Sequence, residues 1–276
     1  MSETWSTHDI EFRDDVVVKR FRSRERAEPL REWRALGLLA RYAPGLAPEP
    51  IREDLDGEPP VVVMSRLAGV PLRGRDLDRK QLQALAEAIG MLHDAIPTAE
   101  VVTLPACTWY PPVVEGKARA WSTGGRDLGS DPLVARAFES GCAWLSAWHT
   151  PPEPGPGIRP VFGLSDGNLA NYLWDGTRVR LVDFEISGRS DRAFELAELV
   201  EHVSMWPAGT DADTEFLLSC FELTDPEIER LRDFRTLLSL VWLLMLLPDS
   251  PGYHRNPPGT LTRQAARLLA HLEPVG

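Results

Sequence analysis

The chain has 276 residues and a formal net charge of −11, length enough for two lobes and a balance that argues against nucleic acid. Its apolar (43%) and charged (26%) fractions are those of an ordinary globular protein, and no stretch reaches the ~18 apolar residues of a membrane span. Cys107, Cys142 and Cys220 lack paired spacing, which excludes a disulfide scaffold, reads them as small buried apolar side chains and fits a reduced, cytoplasmic compartment. Residues 1–12 lack the basic start and apolar core of a signal peptide.

His8 to Phe12 and Val16 to Arg20 are predicted strands around an Arg13-Asp14-Asp15 turn. Alternation in the second puts Val17, Lys19 and Phe21 on one face. Taken alone, that lysine is a snorkelling side chain at a sheet edge. Pro29 opens a predicted helix to about Tyr42, with Glu32, Leu36 and Leu39 on one face. A carboxylate on an apolar face needs a partner. Lys19 is the candidate, paired with Glu32 or, one turn earlier, Glu28; a solvent-exposed Glu32 is the remaining reading.

Pro44, Pro48 and Pro50 break this helix, and Pro60 to Leu67 is an apolar strand that runs out at Gly69-Val70-Pro71. From Asp78 the pattern turns helical, with helices over Gln81 to Ile96, around Val113 to Trp121 and over Pro132 to His149. Trp109 and Trp121 read as core. Pro151 to Pro160 is a proline-rich connector.

The densest chemistry follows. Asp166 comes just after the apolar run Pro160 to Leu164, and Asn171 lies five residues later. Tyr172 to Trp174 and Arg178 to Val182 are predicted strands joined by Asp175-Gly176, and the second ends at Asp183-Phe184-Glu185. Such a hairpin brings Asp166, Asn171 and Asp183 toward one edge. Oxygen donors there suit a hard cation such as Mg²⁺, which keeps waters and takes few protein ligands beside phosphate oxygens. Gly163 to Gly167 also satisfies G-x-S-x-G, the nucleophile elbow of serine hydrolases, with Asp183 and His202 in triad order. That elbow requires strand, turn and helix, whereas a hairpin follows here. Downstream, Ser190 or Asp191 caps a helix through about Val203, Asp225-Pro226 begins one through Leu247, and Thr260 to Leu272 is the last.

D-x-x-x-x-N at Asp166 to Asn171, followed by D-F-E at Asp183 to Glu185, resembles the catalytic and metal loops of the aminoglycoside phosphotransferase and choline kinase family. These are small-molecule kinases with a protein-kinase-like fold. The resemblance implies a two-lobed α+β architecture. A small N-terminal lobe, residues 1–67, would bind nucleotide with an antiparallel sheet and one helix. A large, mostly helical lobe, residues 68–276, would hold a helical insert (about 75–155), the catalytic hairpin (about 160–186) and C-terminal helices (about 190–273).

The implied activity is transfer of the γ-phosphoryl group of ATP or GTP to a hydroxyl of a small molecule: an aminoglycoside-like antibiotic, an amino alcohol or a sugar. Asp166 would orient that hydroxyl and accept its proton, while Asn171 and Asp183 would bind Mg²⁺ with Glu185 nearby. V-V-V-K at Val16 to Lys19 resembles the strand whose lysine holds the α- and β-phosphates, here positioned by Glu32. Val17, Leu173 and Val182 would sandwich the purine, Met64 would line its pocket, and backbone groups from Ser65 to Leu67 would meet its edge. Asn168 would contact the transferred phosphoryl. The segment 187–197 resembles the brace of the metal loop, which makes Asp191 and Glu195 structural. Glu198, Glu201, Asp211, Asp213 and Glu215 either greet a cationic acceptor or form a solvated helix face, the latter being preferred.

Two departures weigh on this. The first glycine is Gly37, so any loop covering the triphosphate is shortened or built without glycine. Leu164 and Ser165 also stand where the family has histidine and glycine. The runner-up is therefore a catalytically weak or inactive nucleotide- or small-molecule-binding protein on the same fold; a serine hydrolase using Ser165 is the distant third. No nucleic-acid or membrane partner is expected.

Overall fold

Alternating apolar residues in the first part of the chain build an antiparallel sheet. In the computed structural model, which describes residues 8–22, 27–151, 157–206 and 212–273, strand β1 (Asp9–Arg13) turns at Asp14-Asp15 into β2 (Val16–Arg20). β3 (Pro50–Asp54) and β4 (Val61–Ser65) complete it in the order β1-β2-β4-β3. The register sets Val17 opposite Met64 and Lys19 opposite Val62, so these four side chains share a face. Helix α1 (Glu28–Tyr42) buries Glu32, Leu36 and Leu39, the stripe that helical spacing predicts.

β3 was not foreseen. It carries almost no buried side chain and starts on Pro50, so it lacks the alternation that reveals a strand; proline is tolerated there because the strand is an edge.

The chain then enters a second body. β5 (Val70–Pro71) pairs with β7 (Tyr172–Trp174), which forms the expected hairpin with β8 (Val179–Leu181). The Asp175 carboxylate accepts the Thr177 and Arg178 N–H groups, which locks the turn. β6 (Pro160–Gly163) pairs with β9 (Gly188–Asp191), a strand of sequence GRSD that no apolar pattern announces. Helices α2 (Arg79–Ala95), α3 (Thr98–Val101), α4 (Pro111–Trp121) and α5 (Pro132–Ala147) lie between hinge and hairpin. After it come α6 (Arg192–Glu201), α7 (Thr214–Ser219), α8 (Asp225–Met245) and α9 (Thr260–Leu272). This is the two-lobed α+β architecture.

The core of the large lobe is α8. Leu237, Leu238, Leu240, Val241, Leu243 and Leu244 are buried on it, each contributing roughly 1.5–3 kcal/mol by leaving water. Ser239, inside this run, is satisfied by Gln264 of α9, whose amide donates to the Ser239 Oγ at 2.9 Å and to its carbonyl at 2.7 Å. Gly141 lets α5 approach: a Cβ there would lie 2.8 Å from Leu240. Among the described residues no helix is long and apolar enough to cross a membrane.

Two expectations need correction. Cys107 is buried, but Cys142 is only half-buried and Cys220 exposed, because both lie near helix surfaces rather than in the core. The preferred solvated acidic face also fails at Glu198 and Glu201, which are buried, while Asp213 and Glu215 do face solvent. Glu201 is 0% exposed and is held by Arg235 (2.7 Å), Arg267 (2.9 Å) and His271 (3.0 Å). Asp211 lies outside the described residues, as do residues 1–7 and residues 152–156 of the connector.

Candidate active site

The loop after β6 that carries Asp166 is shaped by α6 and the turn beyond it. Ser165 adopts a left-handed backbone (φ 57°), and its N–H and hydroxyl both donate to the Glu195 carboxylate, at 2.9 and 2.8 Å. Gly167 presses so close to α6 that a Cβ would sit 2.2 Å from the Glu198 carbonyl oxygen, and its N–H bonds the Glu198 carboxylate. Leu169 donates its N–H to Ser204 Oγ at 2.9 Å. Alternate amides of the loop are thus held by one neighbouring segment.

Asp166 stands between these anchors. Its Oδ1 accepts the Asn168 N–H and its Oδ2 the Asn171 side-chain amide, both at 2.9 Å. Desolvation at the bottom of the cleft pushes its carboxyl up to about 6, against the stabilising Asn168 bond. Asn168 also caps the turn at Ala170 N–H and faces Arg73 at 3.5 Å. Because Asn171 spends its amide nitrogen on Asp166, its amide oxygen is the end left for a cation. Val182 N–H bonds the Asn171 carbonyl at 3.0 Å, so the catalytic loop and the D-F-E segment are neighbours.

Asp183 takes a left-handed backbone (φ 71°), a conformation unusual for any residue but glycine and one that concentrates at functional turns. Lys19 reaches across from β2: its Nζ lies 3.0 Å from Glu32, 2.5 Å from Asp183 and 2.7 Å from Glu185. The predicted Lys19–Glu32 pair is therefore present. Glu28 instead lies 3.7 Å from His8, which the sequence reading passed over and which contacts Glu185 at 2.8 Å. Glu32 also accepts the Phe184 N–H at 2.9 Å. The preceding residue, Arg31, donates to the carbonyls of Ala106 and Ser187, both at 2.9 Å, which ties α1 to the large lobe.

The charges do not balance. Burial would lower Lys19, but its three carboxylates hold it above the usual lysine range. Burial pushes Glu32 up to about 6 despite Lys19, and Asp183 is also raised by desolvation; Glu185 alone is held down, at about 2, by His8 and Lys19 against its burial. Among the described residues, the Lys19 ammonium and the His8 ring meet the four carboxylates of Glu32, Asp183, Glu185 and Asp166, so acids outnumber bases in this group. One oxygen each from Glu32, Asp183 and Glu185 lies within 4.8 Å of the others. Hard oxygen donors short of a cation fit Mg²⁺.

The expected purine-binding residues are divided. Val17, Leu173 and Val182 are half-buried, and Met64 is buried beside Val17. The hinge amides are fewer than expected: Ser65 N–H donates to Glu49 and Arg66 N–H to Asp15. Among the described residues this leaves Leu67 as the hinge amide without an internal acceptor. A cavity of about 460 Å³ between residues 128–134 and 246–262 is lined by none of these side chains.

The serine hydrolase reading fails. Ser165 is 1% exposed and bonded to Glu195, and His202 turns toward Ser204 and Asp166 instead. A 3₁₀ turn (Leu169–Asn171) and β7 follow where the elbow needs a helix.

A family model described as the phosphotransferase enzyme family matches residues 2–234. The chain belongs to the phosphotransferase enzyme family. No curated protein sequence matches it significantly. Among solved structures, this phosphotransferase resembles a choline/ethanolamine kinase family protein from Mesorhizobium loti at TM-score 0.62 and 19% identity, over 98% of this chain and 89% of that one. Aminoglycoside 2'-phosphotransferase-IIIa, solved as its GDP complex, follows at TM-score 0.61 and 16% identity, over 99% and 91%. A spectinomycin phosphotransferase in complex with ADP and spectinomycin superposes at TM-score 0.56 and 12% identity, over 98% and 87%. These likenesses establish a shared kinase-like fold.

Proposed function

We propose that this phosphotransferase moves the γ-phosphoryl group of ATP or GTP to a hydroxyl of a small molecule, in the class of aminoglycoside-like antibiotics, amino alcohols or sugars. The observation that carries the reading is the cation-deficient group of Glu32, Asp183 and Glu185 around Lys19, next to Asp166 and Asn171. Residues 1–67 would bind the nucleotide and residues 68–276 would supply catalysis and acceptor binding. Nucleotides bound to the neighbours of similar fold support a nucleotide donor.

In this reading Val17, Met64, Leu173 and Val182 enclose the purine and Leu67 meets its edge. Lys19, set by Glu32, turns from the carboxylates to the α- and β-phosphates. Asn171 and Asp183, with Glu185 beside them, would hold Mg²⁺, which when bound neutralises phosphate charge. The acceptor oxygen attacks the γ-phosphorus as Asp166 takes its proton, and the bond to the β,γ-bridging oxygen breaks to release the nucleoside diphosphate. Asn168 would contact the phosphoryl in transit. Leu164, buried in the core, replaces the family histidine as packing.

Thermal denaturation with ATP or GTP, with and without Mg²⁺, tests the site. Nucleotide at one hundred times its dissociation constant stabilises by ~2.7 kcal/mol. The Mg²⁺-dependent part is expected to vanish in Asp183→Asn, and a shift indifferent to metal in both proteins counts against the reading. The lack of any glycine before Gly37 favours the binding-protein alternative. Metal-dependent stabilisation without turnover of any hydroxylated compound would decide for it.

A further inference from the structure

We infer that His202 is a positioning residue for Asp166, its Nε2–H presented to the carboxylate by Ser204. The inference deepens the kinase reading and rests on it. His202 follows the last residue of α6 and is buried. Its Nδ1 lies 3.1 Å from the Ser204 backbone nitrogen and 2.8 Å from Ser204 Oγ. A backbone N–H can only donate, so Nδ1 is the acceptor and the proton of the neutral ring resides on Nε2. That atom lies 4.0 Å from Asp166 Oδ1.

Three further contacts make this a built arrangement. Ser204 Oγ also accepts the Leu169 N–H, so one hydroxyl links the imidazole to the loop that carries Asp166. The ring meets Trp242 edge-on, with centroids 4.7 Å apart, which restrains it from swinging away. Asp166 already accepts from Asn168 and Asn171, and a third donor at Oδ1 would complete the fixing of its plane. A small shift of the ring or the loop would close the 4.0 Å gap to a direct bond. Catalytic hydrogen bonds in unliganded sites are commonly long and tighten once reactants bind. Burial holds the ring well below its ordinary value, at about 3, which keeps it a neutral donor.

Two variants separate positioning from packing. Glutamine can place an N–H near the position of Nε2, whereas phenylalanine keeps the ring's shape and no donor. With Mg²⁺-dependent ATP hydrolysis as the assay, water standing for the acceptor, His202→Phe should lower kcat about 10- to 100-fold, the scale for partners that orient a catalytic group. The KM for ATP should stay near that of the parent; both variants remove the Nδ1 acceptor and should lower the melting temperature by a similar small amount, and His202→Gln alone should recover most of kcat. Imidazole ¹⁵N NMR supplies a readout independent of turnover. It should find His202 as the Nε2–H tautomer, with a resonance that moves in Asp166→Asn. A His202→Phe enzyme within about twofold of the parent kcat would overturn the inference; so would an Nδ1–H tautomer or a resonance indifferent to Asp166→Asn. A parent protein without hydrolysis or transfer, but with the NMR contact intact, would break the kinase reading while the contact stands.

Discussion

Two buried clusters of charge in this phosphotransferase are built in opposite ways. At Glu201 one carboxylate with no exposed surface meets Arg235, Arg267 and His271. Its burial would raise its pKa, but these cations hold it down at about 2. At Lys19 one ammonium meets three carboxylates, and two of those, Glu32 and Asp183, are pushed upward. The first cluster is complete as it stands and joins α6 to α8 and α9. The second, among the described residues, holds more acids than bases and spans both lobes. Charge balance therefore separates a self-satisfied group from one open to a further cation where burial alone would confuse them.

The comparison predicts opposite signs for similar substitutions. Glu201→Gln should be the largest change, a loss of about 3 kcal/mol in denaturant unfolding, because it leaves two half-buried arginines facing a fully buried neutral amide. The pH dependence follows: Glu201 is depressed from 4.5 to about 2, so its stabilisation is present above pH 4.5 and is lost as pH falls toward 2. Urea midpoints between pH 5 and pH 3 should fall less steeply in Glu201→Gln than in the parent. Asp183→Asn without ligands should instead raise stability slightly, because it relieves the crowding of carboxylates at a side chain that solvent still screens. Destabilisation there comparable to Glu201→Gln would erase the distinction. Glu215 marks the lower limit: it pairs with Arg235 at 3.3 Å but is 80% exposed, so Glu215→Gln should change stability by less than about 0.5 kcal/mol.

The sequence made the hairpin and its acids legible because Asp175-Gly176 is a local turn signal between two short apolar runs. Lys19 and Glu32 were legible for a similar reason, since each breaks an apolar face set by local periodicity. β3 and β9 escaped because neither buries an alternating apolar face; their pairing partners define them. Glu195, Glu198 and Glu201 are spaced three apart, and that spacing shows a common helix face. Whether the face meets solvent depends on Ser165, Trp109, Arg235 and Arg267, all distant in the chain. His202 was visible only as a false triad partner, since its true neighbour, Ser204, sits in a turn with no sequence signal.

The grip of Arg31 on the carbonyls of Ala106 and Ser187 has a regulatory consequence. Related kinases can be switched by swinging the helix that carries the lysine's glutamate. Here such a swing would tear out both guanidinium bonds and the Glu32 bond to Phe184 at once. Such a swing would therefore cost three hydrogen bonds together, which weights the helix toward the position it holds here.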